Sequence, residues 1–205
     1  MKHARKAVKE YLETGKLISA AEASESLQNP HGVFVTINKL KDGKKQLRGC
    51  IGYPYPTSPL IQAVIESAIS AATQDPRFNR VSFNELDNVV FEVSVMTPPQ
   101  KVEVKNPMDY LARITVGIHG LIVERGLSKG LLLPQVAVEW KWDEEEFLCQ
   151  CCGKAGLPPD CWLVSGTKIY KFGCIIAKEL APNGSVRIVG PDLREYLDEE
   201  MSDTN

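Results

Sequence analysis

Cys50 carries the clearest chemical potential in this chain. It stands in the run Gln46-Leu47-Arg48-Gly49-Cys50-Ile51-Gly52-Tyr53, followed by Pro54, Pro56 and Pro59. Glycine has no Cβ, so Gly49 and Gly52 allow another group to come close to the backbone beside the thiol. A thiol attacks as its thiolate, and a nearby cation or a helix N-terminus lowers its pKa. Arg48 supplies a cation two residues away and would share a face with Cys50 on a regular strand, which makes it the candidate anion or oxyanion contact. Of the three histidines, His3 lies near the N-terminus and His31 in a Pro-Gly turn, so His119, between Ile118 and Gly120, is the candidate base. A cysteine and a histidine brought together in space form the minimal nucleophile–base pair.

Asp75 and Arg77 flank Pro76. Asp75 could orient His119 and Arg77 could grip an anion bidentately. The plainer reading is that both tie down the backbone at a helix end while Phe78 plugs the core. Gln135 is the polar group of the run Leu132-Leu133-Pro134-Gln135-Val136-Ala137 that could reach a ligand. Arg48, Gly49, Gly52, Asp75, Arg77 and Gln135 thus form a candidate substrate-binding set around a Cys50–His119 catalytic pair. Each member also has a structural reading: Cys50 as a small buried hydrophobe, His119 as a turn histidine with a satisfied hydrogen bond. Cys149 and Cys152 have C-x-x-C spacing, with Cys151 and Cys161 nearby, but structural zinc wants four ligands, often as two pairs, and the second pair is missing. No metal and no cofactor is expected, because no phosphate-binding glycine loop, paired catalytic carboxylates or H-E-x-x-H occurs.

The elements that must position these groups follow from pattern. Ala4, Ala7, Val8, Tyr11 and Leu12 recur at helical spacing, and Gly15 can end that helix. Residues 17–27 read as a loop or a short helical turn. Residues 32–37 are β-branched and aromatic, Asp42-Gly43 is a hairpin signal, and residues 46–51 return as the strand carrying Cys50. A helix with a small-residue face spans 59–73, with Ser58 as its cap and Pro59 in its first turn. Ser82 and Glu85 have capping-box spacing. A strand is expected over 88–96, a short helix over 106–111, and a hairpin over 114–124 turning near His119-Gly120, or alternatively one strand from Gly117 onward. Residues 128–130 separate that from a brief strand at 131–133. Helices follow over 135–140 and, capped by Asp143, over 144–152; strands over 168–176 and 185–189 close the chain. Mixed elements with local hairpins predict an α+β fold with a mainly antiparallel sheet and packed helices.

The chain has 205 residues, 43% of them hydrophobic, with 24 basic and 26 acidic residues and a formal charge of −2. The composition suits a globular domain, and the balanced charge gives no global pull toward nucleic acid or anionic membrane. The apolar runs fall far short of the ~20 residues that span a bilayer, and the N-terminus has no signal-peptide core. A cytoplasmic protein with reduced thiols is the expectation.

The run Leu47-Arg48-Gly49-Cys50-Ile51-Gly52 resembles the signature of the AMMECR domain family, named for a human syndrome-linked protein and found also in archaea and bacteria. Asp75-Pro76-Arg77-Phe78, Gly117-Ile118-His119-Gly120, and Leu132 to Ala137 followed by Trp140 or Trp142 match in the same order. The resemblance covers roughly residues 5–190. It implies a single α+β domain over 1–195, with a larger and a smaller lobe and the signature near a cleft between them, followed by an acidic flexible tail over 196–205. It also implies a pathway link to Memo-type and radical-SAM proteins and brings no settled activity. Two functions stay open: an enzyme or binding protein for a small or peptide-like ligand with a cleft thiol near a histidine, and a non-catalytic protein- or nucleic-acid-binding adaptor using the same cleft, nucleic acid being disfavoured by the charge.

Overall fold

The computed structural model describes residues 1–20, 23–41 and 44–194. The Asp42-Gly43 turn and the acidic tail lie outside the described residues. The fold is α+β with two antiparallel sheets. The chain divides into two compact units, Met1–Met96 with Ile175–Ile188, and Thr97–Cys174 with the described residues from Val189 on.

In the first unit, α1 (Lys2–Thr14) buries Ala4, Ala7 and Val8 and ends at Gly15, whose φ of 75° is the left-handed conformation that glycine adopts without a Cβ penalty. A 3-10 turn at Glu25–Gln28 leads into β1 (Gly32–Lys41), which pairs antiparallel with β2 (Lys44–Tyr53). Next comes α2 (Leu60–Thr73), which buries ten of its fourteen residues. Its cap position is Pro59 rather than Ser58, and Pro59 offers its carbonyl to Ala63 N–H at 3.0 Å. Ser82 and Glu85 form the expected capping box on a 3-10 turn, Phe83–Asn88. β3 (Val89–Met96) then pairs with β1.

Two further strands complete the five-stranded sheet, in the order β2-β1-β3-β8-β9: β8 is Cys174–Glu179 and β9 is Val186–Val189. Val33, Val35 and Ile37 of β1 and Val89, Phe91 and Val93 of β3 pack with Ala63, Val64, Ala68 and Ala71 of α2 in one core. This is the alternation of a sheet with one helix-covered face. Arg5 of α1 ties the layers together. Its Nε donates to Glu179 Oε1 at 2.7 Å, its Nη1 to the Leu86 carbonyl at 2.9 Å and its Nη2 to the Val89 carbonyl at 2.7 Å, while Glu179 Oε2 accepts Phe91 N–H at 3.0 Å.

The second unit has a four-stranded sheet of order β4-β7-β5-β6, formed by β4 (Gln100–Lys101), β5 (Gly120–Arg125), β6 (Ser128–Leu132) and β7 (Lys168–Phe172). Its helices are α3 (Tyr110–Arg113), α4 (Pro134–Glu139) and α5 (Glu144–Lys154). Asp143 caps α5 by accepting Glu146 N–H at 2.8 Å.

Three expected elements differ. The hairpin over 114–124 has no first arm: residues 115–119 form a tight turn, and β5 instead pairs with β6, inside which Ser128, Lys129 and Gly130 lie as strand residues. The single strand over 168–176 is two strands, broken at Gly173, which belong to different sheets. The thiols are not all reduced, since Cys152 and Cys161 are joined as a disulfide with Cα atoms 6.0 Å apart. The end of α5 packs on a 3-10 turn, Pro159–Leu163, and that tertiary contact brings together two cysteines whose sequence spacing gives no sign of it.

Candidate functional site around Cys50

β2 is an outer strand of its sheet, and the segment after α2 supplies side chains to its edge. Cys50 N–H donates to Asp75 Oδ2 at 2.9 Å, and the Cys50 carbonyl accepts from Arg77 Nη2 at 3.3 Å. Arg77 grips the same carboxylate bidentately, Nε to Oδ1 at 2.9 Å and Nη2 to Oδ2 at 2.7 Å, and its own N–H adds a bond to Oδ1 at 3.1 Å. A carboxylate that accepts and a guanidinium that donates thus take the place of a neighbouring strand along one residue of the edge. Asp75 is only 4% exposed. Its carboxyl is held well below the usual carboxylate range, first by the Arg77 hydrogen bonds and then by the backbone donors. Phe78 is half-buried, with the Arg77 guanidinium 5.4 Å from its ring centre, rather than a plug in the core.

Arg48 does not share this arrangement. The β1–β2 register passes from Ile37↔Gly49 to Asn38↔Leu47, which leaves Arg48 as the extra residue of a β-bulge. The bulge aims it at the segment before β3. Its Nε and Nη2 meet Glu85 at 3.0 and 3.2 Å, and it donates to the carbonyls of Asn79 at 2.7 Å and Arg80 at 3.2 Å. That pairing lowers the Glu85 carboxyl to about 2. The expected cation beside the thiol is therefore Arg77, and Arg48 is spent on holding the chain. Both glycines have packing reasons. A Cβ on Gly49 would overlap the Ala71 carbonyl of α2, and one on Gly52 would overlap the Val33 carbonyl and the Phe34 side chain.

The Cys50 side chain lies on the sheet face away from α1 and α2. Thr36 is its cross-strand partner on β1 and Glu92 is the partner of Thr36 on β3; one row along, Gly52, Phe34 and Ser94 are aligned in the same way. Thr36 Oγ1 donates to Cys50 Sγ at 3.3 Å. Burial pushes the thiol pKa up, and the charges of Glu92 and Asp75 add to that, against the Thr36 hydrogen bond and Arg77. The expectation of a depressed thiol pKa is reversed. Ser94 is 1% exposed, and its hydroxyl has no hydrogen-bond partner among the described residues. Thr36, Glu92 and Ser94 escaped the sequence reading because alternation assigns them to a face and does not say which neighbours they meet.

His119 belongs to the second unit, whereas Cys50, Asp75 and Arg77 belong to the first. Thr115 N–H donates to His119 Nδ1 at 2.9 Å, and His119 N–H closes the same turn onto the Thr115 carbonyl at 2.9 Å. A backbone N–H can only donate, so neutral His119 carries its proton on Nε2 and offers a donor there. Its pKa is lowered by burial and then by the charge of Lys171. The lone pair that a general base needs is engaged, and the Asp75 oxygens expected to orient this ring are occupied by Cys50 and Arg77. Gln135 is buried at the start of α4. In the same unit, Cys151 is fully buried and its thiol is pushed up to about 12 by burial. Cys152, half of the C-x-x-C pair, is committed to the disulfide. A cavity of about 790 Å³ in this unit is rimmed by charges of both signs, Glu103, Lys105, Asp109 and Arg113. Among the described residues, no group of three or more potential metal ligands occurs, and no helix is long and apolar enough to cross a membrane.

The family model AMMECR1 matches residues 1–177. An archaeal protein of Methanothermobacter thermautotrophicus is 53% identical over 180 residues, spanning 87% of this chain and 92% of its own. One of Methanocaldococcus jannaschii is 49% identical over 186 residues, with 91% of each chain covered. The crystal structure of an uncharacterized protein from Pyrococcus horikoshii superposes with a TM-score of 0.86 at 50% identity, covering 92% of this chain and 93% of that one.

Proposed function

The chain belongs to the AMMECR1 family, and from that premise we propose that it binds a small or peptide-like ligand against the sheet face of Phe34, Thr36, Cys50, Glu92 and Ser94. Cys50 acts there as a neutral polar contact, and thiolate chemistry is not part of the resting protein. The observation that carries this reading is the buried Ser94 hydroxyl, which has no hydrogen-bond partner among the described residues and lies one row from Cys50 on the same face. A buried polar group left unpaired costs about 1–3 kcal/mol, and a ligand acceptor or donor placed there would recover it. The use of charge at Cys50 supports the binding reading over the nucleophile–base one: Asp75 and Arg77 are spent on the Cys50 backbone, and His119 Nδ1 is spent on Thr115.

Backbone amide shifts recorded on the whole chain during titration with a fragment library test the proposal. Hits are expected to perturb residues 34–36, 50–52 and 92–94, and Ser94→Ala is expected to weaken them several-fold. Hits confined to the cavity rimmed by Glu103 and Arg113, or unchanged by Ser94→Ala, would move the ligand site elsewhere.

A further inference from the structure

Lys141 stands where a helix end calls for glycine. α4 finishes at Trp140, and the next two residues fold back onto its last turn. Lys141 N–H donates to the Val138 carbonyl at 3.0 Å, and Trp142 N–H donates to the Ala137 carbonyl at 2.9 Å. That pair of bonds needs a left-handed residue between helix and exit, usually glycine, and Lys141 takes the position with a φ of 56°. At the end of α1 the left-handed residue is Gly15. A side chain held in that conformation costs stability that glycine would not, and such strain is found where function depends on the residue. Nothing within the fold accounts for the lysine: its exposed ammonium has no hydrogen bond or ion pair among the described residues.

What surrounds Lys141 defines the ligand. Lys141 and Trp142 line a cavity of about 410 Å³ with Thr115, Val116, Glu144 and Arg194, all within the second unit. Its volume suits a small organic molecule. The half-buried Trp142 ring stacks with that of Trp140, centroids 6.1 Å apart and planes 16° apart, and Trp140 is 68% exposed. The other charges of the wall have partners. Arg194 grips Asp192 through Nε at 3.0 Å and Nη2 at 2.6 Å, and Glu144 Oε1 accepts Val116 N–H at 3.1 Å. Gly117 lets the Arg194 stem lie close against the turn before β5, where a Cβ would overlap it. Two cations against one carboxylate match a single negative charge better than a double one. An indole in the wall favours a flat ring.

We propose that this cavity is a further binding site, specific for a small aromatic monocarboxylate. The ligand's carboxylate accepts from the Lys141 ammonium, and its ring lies against Trp142. The site belongs to the second unit and the Ser94 face to the first, so each reading can fail without the other.

The test titrates the full chain with 1-naphthaleneacetate and follows the indole N–H signals of its three tryptophans by NMR. Saturable shifts are expected at Trp142 and Trp140, and none at the buried Trp162. Lys141→Gly and Lys141→Asn should each weaken binding about tenfold or more, the worth of a charge-assisted hydrogen bond. Glycine accepts the left-handed conformation, so Lys141→Gly should at the same time raise the thermal midpoint by about 2–4 °C. 1-Naphthaleneacetamide, which lacks the charge, and acetate, which lacks the ring, should both bind far more weakly. The proposal is overturned by absence of saturation, by equal binding of the amide, or by unchanged binding in Lys141→Gly. A midpoint that fails to rise in that variant would make the lysine structural and overturn it too. Tighter binding of 1-naphthyl phosphate would assign the cavity to dianions instead.

Discussion

Asp75 is the residue on which the Cys50 region depends. It satisfies a strand N–H and holds Arg77 in place, and Arg77 in turn satisfies the carbonyl of the same strand residue. Asp75→Ala strands the Cys50 amide in a largely buried position, and a cost of about 2 kcal/mol is expected in urea unfolding. The pH dependence has a definite sign. The Asp75 and Glu85 carboxyls both titrate lower in the folded chain than in the unfolded one. Their stabilisation is therefore complete above about pH 5 and drains away as the unfolded chain takes up protons first on acidification. The unfolding midpoint should fall between about pH 5 and pH 2, and Asp75→Asn with Glu85→Gln should flatten that slope. An unchanged slope would remove the two pairs from the account.

At the scale of elements, the glycine-flanked signature is in large part packing between β2 and α2. Gly49 permits the Ala71 carbonyl to approach the strand, so Gly49→Ala should cost about 3 kcal/mol through overlap with backbone that cannot rotate away. Gly153, inside α5 with open space around it, is the contrasting case: Gly153→Ala should stabilise by up to about 1 kcal/mol. Thermal denaturation of the two variants measures both. The helical periodicity of 4–12, the Gly15 stop, the 82–85 capping box and the pairing of β1 with β2 were legible because local chemistry determines them. The bulge at Arg48, the missing first arm of the hairpin expected over 114–124 and the break at Gly173 were not, because each is decided by which strand lies alongside. The Arg48 bulge also turns that guanidinium toward Glu85 rather than along the Cys50 face: one inserted residue re-aims a side chain, and a period of two read from sequence has no means of registering it.

At the scale of the molecule, the chain passes between its two units at 96, 174 and 188, so neither unit is one continuous segment. The first unit takes β8 from far along the chain, and with it Glu179, which engages Arg5 and the Phe91 amide. A fragment of residues 1–96 lacks that carboxylate and two strands of its sheet. It should show weak amide protection and no cooperative thermal transition. Cooperative folding of the fragment would contradict the role given to Glu179. The same interleaving explains why the sequence could supply a nucleophile and a base without indicating how either is used: Cys50 and His119 belong to different units, and each has its hydrogen-bonding partners in its own.

The central claim is that the charges around Cys50 serve its backbone and leave the thiol protonated. The pH dependence of Cys50 alkylation by iodoacetamide, followed by peptide mass spectrometry, tests it most directly. The rate should be slow at neutral pH and still rising beyond the ordinary thiol range near pH 8.5–9. A plateau below pH 8 would mean a primed thiolate and would contradict the account.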